Sequence, residues 1–332
     1  MTNRPAVTLA MAAATFDRVV DLEFLDRLGE VADVRPGVLE EFSSPAARAA
    51  LAGTQVLVTG WGCPPLTASV VADAPRLRAV VHTAGTVRDH VTPAVWEAGI
   101  GVSSAAAANA VPVAEFTLAV VLLAGKRVLE AAHEFALTRG RPLVRDAGGN
   151  LGATVGILSA SRVGRRVVDL LRPHDLHVLL HDPYVPDAEV RALGAEPVGL
   201  TELFDRSDVL SVHTPLLPET RGLVGAELLA RLRDGATVVN TARGAVVDPW
   251  ALTAELVSGR LHGVLDVTDP EPLPADHPLW DRPNVLLTPH VAGSLGNELR
   301  RLTASAADEV GRFAAGQPFA HEVTVTTLEH SA

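Results

Sequence analysis

Residues 154–168 read Thr-Val-Gly-Ile-Leu-Ser-Ala-Ser-Arg-Val-Gly-Arg-Arg-Val-Val, and this stretch decides the fold. Thr154 to Leu158 is short, uncharged and rich in branched residues, the composition of a strand buried on both faces. Ser159 to Ser161 are small enough for a tight turn, and a helical pattern opens at Arg162. Strand, turn and helix form the unit on which dinucleotide-binding folds are built. There Gly-x-Gly-x-x-Gly makes the turn, admits a pyrophosphate and lets helix pack on strand. Here Ser159 and Ser161 replace two of those glycines and Gly164 is the third. Serine is small, and its hydroxyl can donate to a phosphate oxygen, while the helix start at Ser161, Arg162 and Val163 supplies free N–H groups and a favourable dipole. By itself one glycine after a strand is not diagnostic, because any α/β protein has such a segment.

Position strengthens the reading. Asp182 ends the next run, Val178-Leu179-Leu180-His181-Asp182, 18 residues after Gly164 and near the spacing expected of a ribose-binding acid. A carboxylate there accepts from ribose hydroxyls and repels a 2′-phosphate, which selects NAD over NADP.

Similar β-rich runs alternate with helical patterns along the chain: Val7 to Ala10, Gln55 to Thr59, Arg78 to His82, Val209 to His213, Thr237 to Asn240, Gly263 to Val267 and Val285 to Thr288. The pattern is doubly wound α/β with parallel sheets, twice over. The first three runs belong to one unit. The second begins at Thr154, after the Gly-rich break 146–152. Between them Val111 to Leu137 is an apolar helical stretch ending near Arg139-Gly140-Arg141-Pro142. A last helix, Asn297 to Ala315, stops at Gly316 and Pro318. Pattern alone leaves it to complete the second unit or to cross back to the first. We adopt the crossing arrangement: a discontinuous substrate domain, 1–105 plus 296–332, with a cofactor domain, 106–295, inserted through hinges near Ala106 and Gly293. Its active site is expected in the cleft between the domains, where closure excludes water.

Composition narrows the function classes. With 332 residues, 48% hydrophobic and 20% charged, the chain is folded and long enough for two domains. Net charge −11 offers no basic surface for nucleic acid. One cysteine, Cys63, permits neither an intrachain disulfide nor a cysteine metal cage, which fits a reducing, cytoplasmic setting. The sole lysine, Lys126, lacks a Schiff-base or P-loop context. Pro5 to Ala14 superficially resembles a signal peptide, but its alternation reads as a strand, and the apolar run Phe116 to Gly125 falls short of the roughly 20 residues that span a bilayer. No membrane partner is therefore expected. His174, His177 and His181 lack a ligand cluster for zinc, so no metal site is expected; two of them lie on a strand expected to be buried. Cys63 reads as an inert or half-buried thiol. Ser-x-Ser-x-x-Gly lacks the Gly-x-Ser-x-Gly elbow of a hydrolase.

Past the later strands come polar blocks: His213-Thr214-Pro215-Leu216 with Glu219-Thr220-Arg221-Gly222, then Asn240-Thr241-Ala242-Arg243-Gly244, Asp266-Val267 with Glu271-Pro272-Leu273, and Thr288-Pro289-His290. Carboxyl edges of open α/β sheets are where ligands sit. In these blocks, in this order and over nearly the whole chain, the protein resembles the D-isomer-specific 2-hydroxyacid dehydrogenases, the family of phosphoglycerate dehydrogenase and glyoxylate/hydroxypyruvate reductase. The resemblance implies a Rossmann NAD-binding domain inserted in a flavodoxin-like substrate domain, and hydride transfer between NAD(H) and a small 2-hydroxy or 2-keto acid. It implies that Arg243 holds the substrate carboxylate with a guanidinium fork. His290 would be the acid/base, and Glu271, 19 residues earlier, would bond the imidazole and favour its protonated form.

For the cofactor the resemblance implies contacts at Ser161, Arg162, Val163, Asp182, Thr214, Pro215, Thr241 and Asp266, the last meeting the nicotinamide carboxamide. For the substrate it implies the loop His82-Thr83-Ala84-Gly85-Thr86-Val87-Arg88, with Ala84, Gly85 and Thr86 offering backbone N–H groups. Val87 stands where the family commonly has Asp, and Arg88 either meets a distal anionic group or lies on the surface. Asn109 and Glu115 resemble the family's hinge block. A homodimer is expected through Val111 to Leu137 and the arm Arg139 to Gly149, more apolar than one crossing helix needs. Two alternatives remain on the sequence: an NAD-sensing protein like the family's corepressor branch, with little turnover, and a formate- or phosphite-type dehydrogenase, which Glu271 disfavours.

Overall fold

The computed structural model describes residues 4–140 and 148–329. The chain forms two compact units, Met1–Ala110 with Ser294–Ala332, and Val111–Gly293.

The first unit is built on five parallel strands, β1 (Ala6–Ala10), β2 (Asp33–Leu39), β3 (Val56–Thr59), β4 (Ala79–His82) and β5 (Gly101–Ser104), in the order β2-β1-β3-β4-β5. Alternate residues feed opposite faces, as a period of two requires. Val7, Leu9, Val56, Val58 and Val81 meet Phe24 and Leu28 of the helix Leu22–Val31 and Ala306 and Val310 of the helix Leu299–Ala314. Leu57, Val80 and Val102 meet Leu51, Leu66 and Val95 on the other face. The last long helix therefore packs in the first unit, on the sheet formed by the amino-terminal residues. Sequence reading missed β2 and β5. β2 is an edge strand carrying Pro36 and Gly37 with exposed residues along it, and its register with β1 shifts between Val7 and Leu9.

The second unit has seven parallel strands, β6 (Thr154–Leu158), β7 (His177–His181), β8 (Glu196–Pro197), β9 (Val209–Val212), β10 (Thr237–Asn240), β11 (His262–Leu265) and β12 (Val285–Leu287). Their order is β12-β11-β10-β9-β6-β7-β8. Chain direction across the sheet reverses between β6 and β9, the crevice where doubly wound sheets take ligands. Leu158, Leu210, Val238 and Leu265 face one helical layer with Phe204 and Leu256; Ile157, Val209, Val239 and Val264 face another with Val121, Val167 and Leu171. Burial on both faces explains the unbroken apolar runs of these strands. β7 departs from expectation at its start, since His177 is exposed. The two-residue β8 leaves that end of β7 near the sheet edge, and His177 Nε2 lies 2.6 Å from Glu196.

The stretch expected as helical over Val111 to Leu137 is two helices, Ala106–Gly125 and Val128–Thr138, separated by Lys126 and by Arg127 in a left-handed conformation at φ 51°. The first, 20 residues long, has the length and hydropathy of a membrane span, longer than the run Phe116 to Gly125 suggested because Ala and Val precede it. Its Ala114, Val120 and Val121 are buried against Val155 and Ile157, the packing of a core helix. Of the arm expected over Arg139 to Gly149, residues 141–147 lie outside the described residues.

Candidate active site

All the candidate residues of the second unit follow the carboxyl ends of its strands: Ser161 after β6, Asp182 after β7, Thr214 and Pro215 after β9, Thr241 and Arg243 after β10, Asp266 and Glu271 after β11, His290 after β12. Each strand ends at the same edge, so residues far apart in sequence collect along one rim.

The turn after β6 fits a dinucleotide. Ser159 adopts φ +83°, the left-handed conformation for which glycine is usually chosen. A Cβ on Gly164 would stand 2.1 Å from the Ser159 carbonyl oxygen, so only glycine lets the helix Arg162–Leu171 close on the turn. Ser161 caps that helix, its Oγ accepting from Gly164 N at 3.3 Å, and the first-turn N–H groups of Arg162 and Val163 have no partner within the helix. The Ser159 hydroxyl, which the sequence offered as a donor to a phosphate oxygen, is bonded within the protein. It donates to Asp182 Oδ2 at 3.1 Å. Ala160 N donates to the same oxygen at 2.8 Å and Tyr184 N to Oδ1 at 2.9 Å. A carboxylate offers about four acceptor directions, so these three bonds leave one over.

Beneath the turn lies His213, buried, with Nε2 2.8 Å from Ser211 Oγ and Nδ1 without a partner among the described residues. Burial pushes its pKa down to about 3, so it is neutral. Thr214 Oγ1 donates to Leu158 O, and Thr241 Oγ1 lies 3.3 Å from Thr117 Oγ1. A helix N-terminus, a glycine-tight turn and a part-satisfied carboxylate on the neighbouring strand together match what NAD requires.

His290 and Glu271 are brought together. His290 Nδ1 is 2.8 Å from Glu271 Oε1, with both side chains about half exposed. His290 sits at φ 54°, and its backbone N–H donates to Asp266 O at 3.0 Å. Asp266, 2% exposed, holds the loop around it: Oδ1 accepts from Thr288 Oγ1 at 2.6 Å and Val291 N at 2.8 Å, and Oδ2 from Ala292 N at 2.9 Å. Three of the four acceptor directions expected to serve a carboxamide are thus taken by protein donors, a supporting role that sequence reading missed. Its only signal was the place of Asp266 at a strand end ahead of a Thr-Pro-His block.

Arg243 lies half-buried on the β10 loop, with Nη1 donating to Ala242 O at 2.6 Å. Asn240 staples that loop, its Nδ2 donating to Arg243 O and its Oδ1 accepting from Ala242 N, each at 3.0 Å. A Cβ on Gly244 would sit 2.1 Å from the Thr268 carbonyl carbon and oxygen, so glycine allows the loop carrying Arg243 to touch the one leading to Glu271.

In the first unit, Ala84 is buried and Gly85 and Thr86 are half-buried, while Arg88 is exposed and donates to Leu328 O. Asn109 Oδ1 accepts from Ser294 N at 2.9 Å, tying the two segments of that unit together, and Glu115 is exposed. Cys63 is buried, which pushes its thiol up to about 12 and leaves it unreactive.

Comparison with known proteins agrees with this geometry. Residues 119–292 match the family described as "D-isomer specific 2-hydroxyacid dehydrogenase, NAD binding domain". The chain is 35% identical over 256 residues to a glyoxylate reductase of Aeropyrum pernix, covering 75% of this chain and 76% of that protein. It is 32% identical over 301 residues to a D-3-phosphoglycerate dehydrogenase of Methanocaldococcus jannaschii, covering 89% of this chain and 56% of that longer relative. A crystal structure of a protein from Thermus thermophilus superposes with TM-score 0.75 at 29% identity, over 96% of this chain and all of that one. The chain therefore belongs to the D-isomer-specific 2-hydroxyacid dehydrogenase family and is an NAD-dependent oxidoreductase.

Proposed function

We propose that the protein interconverts a small 2-keto acid and its D-2-hydroxy acid, with His290 as acid/base, Glu271 as its partner and Arg243 binding the substrate carboxylate. The observation that carries this reading is the 2.8 Å pair between His290 Nδ1 and Glu271 Oε1. A carboxylate can only accept, so Nδ1 carries the hydrogen of that bond and Nε2 is left to exchange a proton with the substrate's C2 oxygen. Bound NAD(H) supplies the hydride acceptor or donor.

Ser161, Arg162 and Val163 would take the pyrophosphate at the helix N-terminus, and Asp182 a ribose hydroxyl. Thr214, Pro215, Thr241 and Asp266 would line the remainder of the cofactor site. Arg243 would grip the carboxylate bidentately, a task its planar fork suits. Ala84, Gly85 and Thr86 would add backbone N–H groups, with Arg88 beside them. The reading includes a homodimer meeting through the helix Val128–Thr138, where Phe135 and Leu137 are 57% and 72% exposed.

Steady-state NADH oxidation with a panel of 2-keto acids, glyoxylate and hydroxypyruvate among them, tests the reading. Wild type should turn over at least one. His290→Ala should lower kcat roughly 10² to 10⁴-fold with NADH affinity kept. An unchanged kcat would remove His290 from the chemistry.

A further inference from the structure

Two histidines bracket the loop 83–89, and neither has a role in the reaction as derived above. His82 closes β4 and His90 follows the loop; they are 3% and 4% exposed, and their ring centroids are 4.6 Å apart. Between them stands Thr59, the last residue of β3 and fully buried. Its Oγ1 lies 2.9 Å from His82 Nδ1 and 3.1 Å from His90 Nε2. One hydroxyl satisfies two rings only if it donates to one and accepts from the other. That arrangement demands a neutral ring at the accepting end.

Burial meets the demand. It holds His90 down to about 4 and His82 well below its ordinary value, even though Asp89 favours the charged form of His90. The Thr59 backbone completes the fastening: its carbonyl accepts from Thr83 N at 2.8 Å and Thr83 Oγ1 at 3.0 Å. Both ends of the loop are thus tied to the end of one strand, and His90 O, accepting from Leu66 N at 2.7 Å, ties the far end again. Three buried polar side chains bonded to one another would cost stability if they did nothing but fill space, since leucine or valine fills it without needing partners.

We propose that Thr59, His82 and His90 form a clasp that fixes the backbone of Ala84, Gly85 and Thr86 for the substrate's carboxylate, so that the three are positioning residues for substrate binding. This rests on the proposed role of that loop. N–H groups held in place in advance bind an anion without the entropy loss of ordering a free loop. The clasp therefore acts on substrate affinity, while proton transfer at His290 and cofactor binding in the second unit do not depend on it.

Thr59→Val deletes the hydroxyl and little else. KM for the 2-keto acid should rise about tenfold, with kcat within about twofold and the NADH dissociation constant, read by fluorescence, unchanged. Thr59→Ser should restore KM. Amide hydrogen exchange should show lost protection at Ala84 to Thr86 in Thr59→Val, a readout that needs no turnover. If Thr59→Val does not fold, His90→Asn, which leaves the Thr59 to His82 bond, should show the same pattern at about threefold. An unaltered KM with unaltered exchange overturns the clasp, as does a parallel fall in kcat, substrate affinity and NADH affinity. A wild type that turns over no 2-keto acid overturns the proposed function instead, and the exchange result then still decides whether the clasp holds the loop.

Discussion

Replacing Asp266 by alanine should cripple both stability and turnover, because one side chain supports the loop that presents His290. The carboxylate is 2% exposed and accepts from Thr288 Oγ1, Val291 N and Ala292 N. The threonine hydroxyl can rotate toward another acceptor, but the two backbone N–H groups are fixed by the chain. A buried donor left without a partner costs about 1–3 kcal/mol; Ala292 N is buried and Val291 N partly so, and together they give a loss of about 3 kcal/mol. In a unit of this size each kcal/mol lowers the melting temperature by about 2–4 °C, which places the Asp266→Ala midpoint about 10 °C below wild type. His290 has a left-handed backbone, a conformation that persists only where its surroundings impose it. Loosening the loop should therefore misplace the imidazole and cut kcat by roughly 10²-fold in the folded fraction. Asp266→Asn keeps the shape but sets an NH₂ against at least one donor, so it should fall between the two. Calorimetry and keto-acid kinetics on the three proteins measure this. An Asp266→Ala protein that melts with wild type and keeps its kcat would refute the reasoning, and Asp266 would return to the cofactor-contact role alone.

Two further outcomes follow from the same structure. Asp182→Ala should weaken NADH binding and improve NADPH relative to it in fluorescence titrations, because ribose acceptor and phosphate repulsion are lost together; an unchanged preference would take Asp182 out of the site. Acid should destabilise the protein through its buried neutral histidines. In the folded state His90 is held down to about 4 and His213 to about 3, while in the unfolded chain both titrate near 6.5. Their stabilisation is full above about pH 6.5 and drains as pH falls toward those lowered values, each giving up about 2 kcal/mol by pH 5. Denaturant unfolding should show this fall between pH 7 and pH 5, and His90→Asn should recover one such share; a flat profile would contradict it.

Much of this architecture is legible in the sequence because its strands are buried on both faces. Runs such as Val209 to Val212 and Thr237 to Asn240 announce themselves by composition, and the polar blocks after them mark the carboxyl edge. β2 escaped because an edge strand with Pro36 and Gly37 exposes side chains and lacks the apolar signature. The break at Arg127 escaped because Gly125, which ends the first helix, is a single glycine inside an apolar helical pattern, and the residue that takes the left-handed conformation is an arginine. At the candidate site, Glu271 and His290 stand in recognisable blocks, whereas the supports are set by atoms distant in sequence. Asp266 reaches residues more than twenty positions on, Ser159 turns its hydroxyl to the next strand, and Thr59 joins two histidines on other elements. Such hydrogen bonds depend on register and loop path, which residue types do not report.

Hydride exchange between NAD(H) and C2 of a 2-keto acid, paired with proton delivery by His290, can be followed atom by atom through isotope transfer. The protein is incubated with NADH bearing deuterium at the transferable C4 position and with the keto acid it turns over best, and the product is examined by NMR and chiral chromatography. One deuterium is expected on C2 of the D-2-hydroxy acid, with the hydroxyl proton drawn from solvent. Deuterium lost to water, an L-configured product, or no labelled hydroxy acid from any 2-keto acid offered would contradict it.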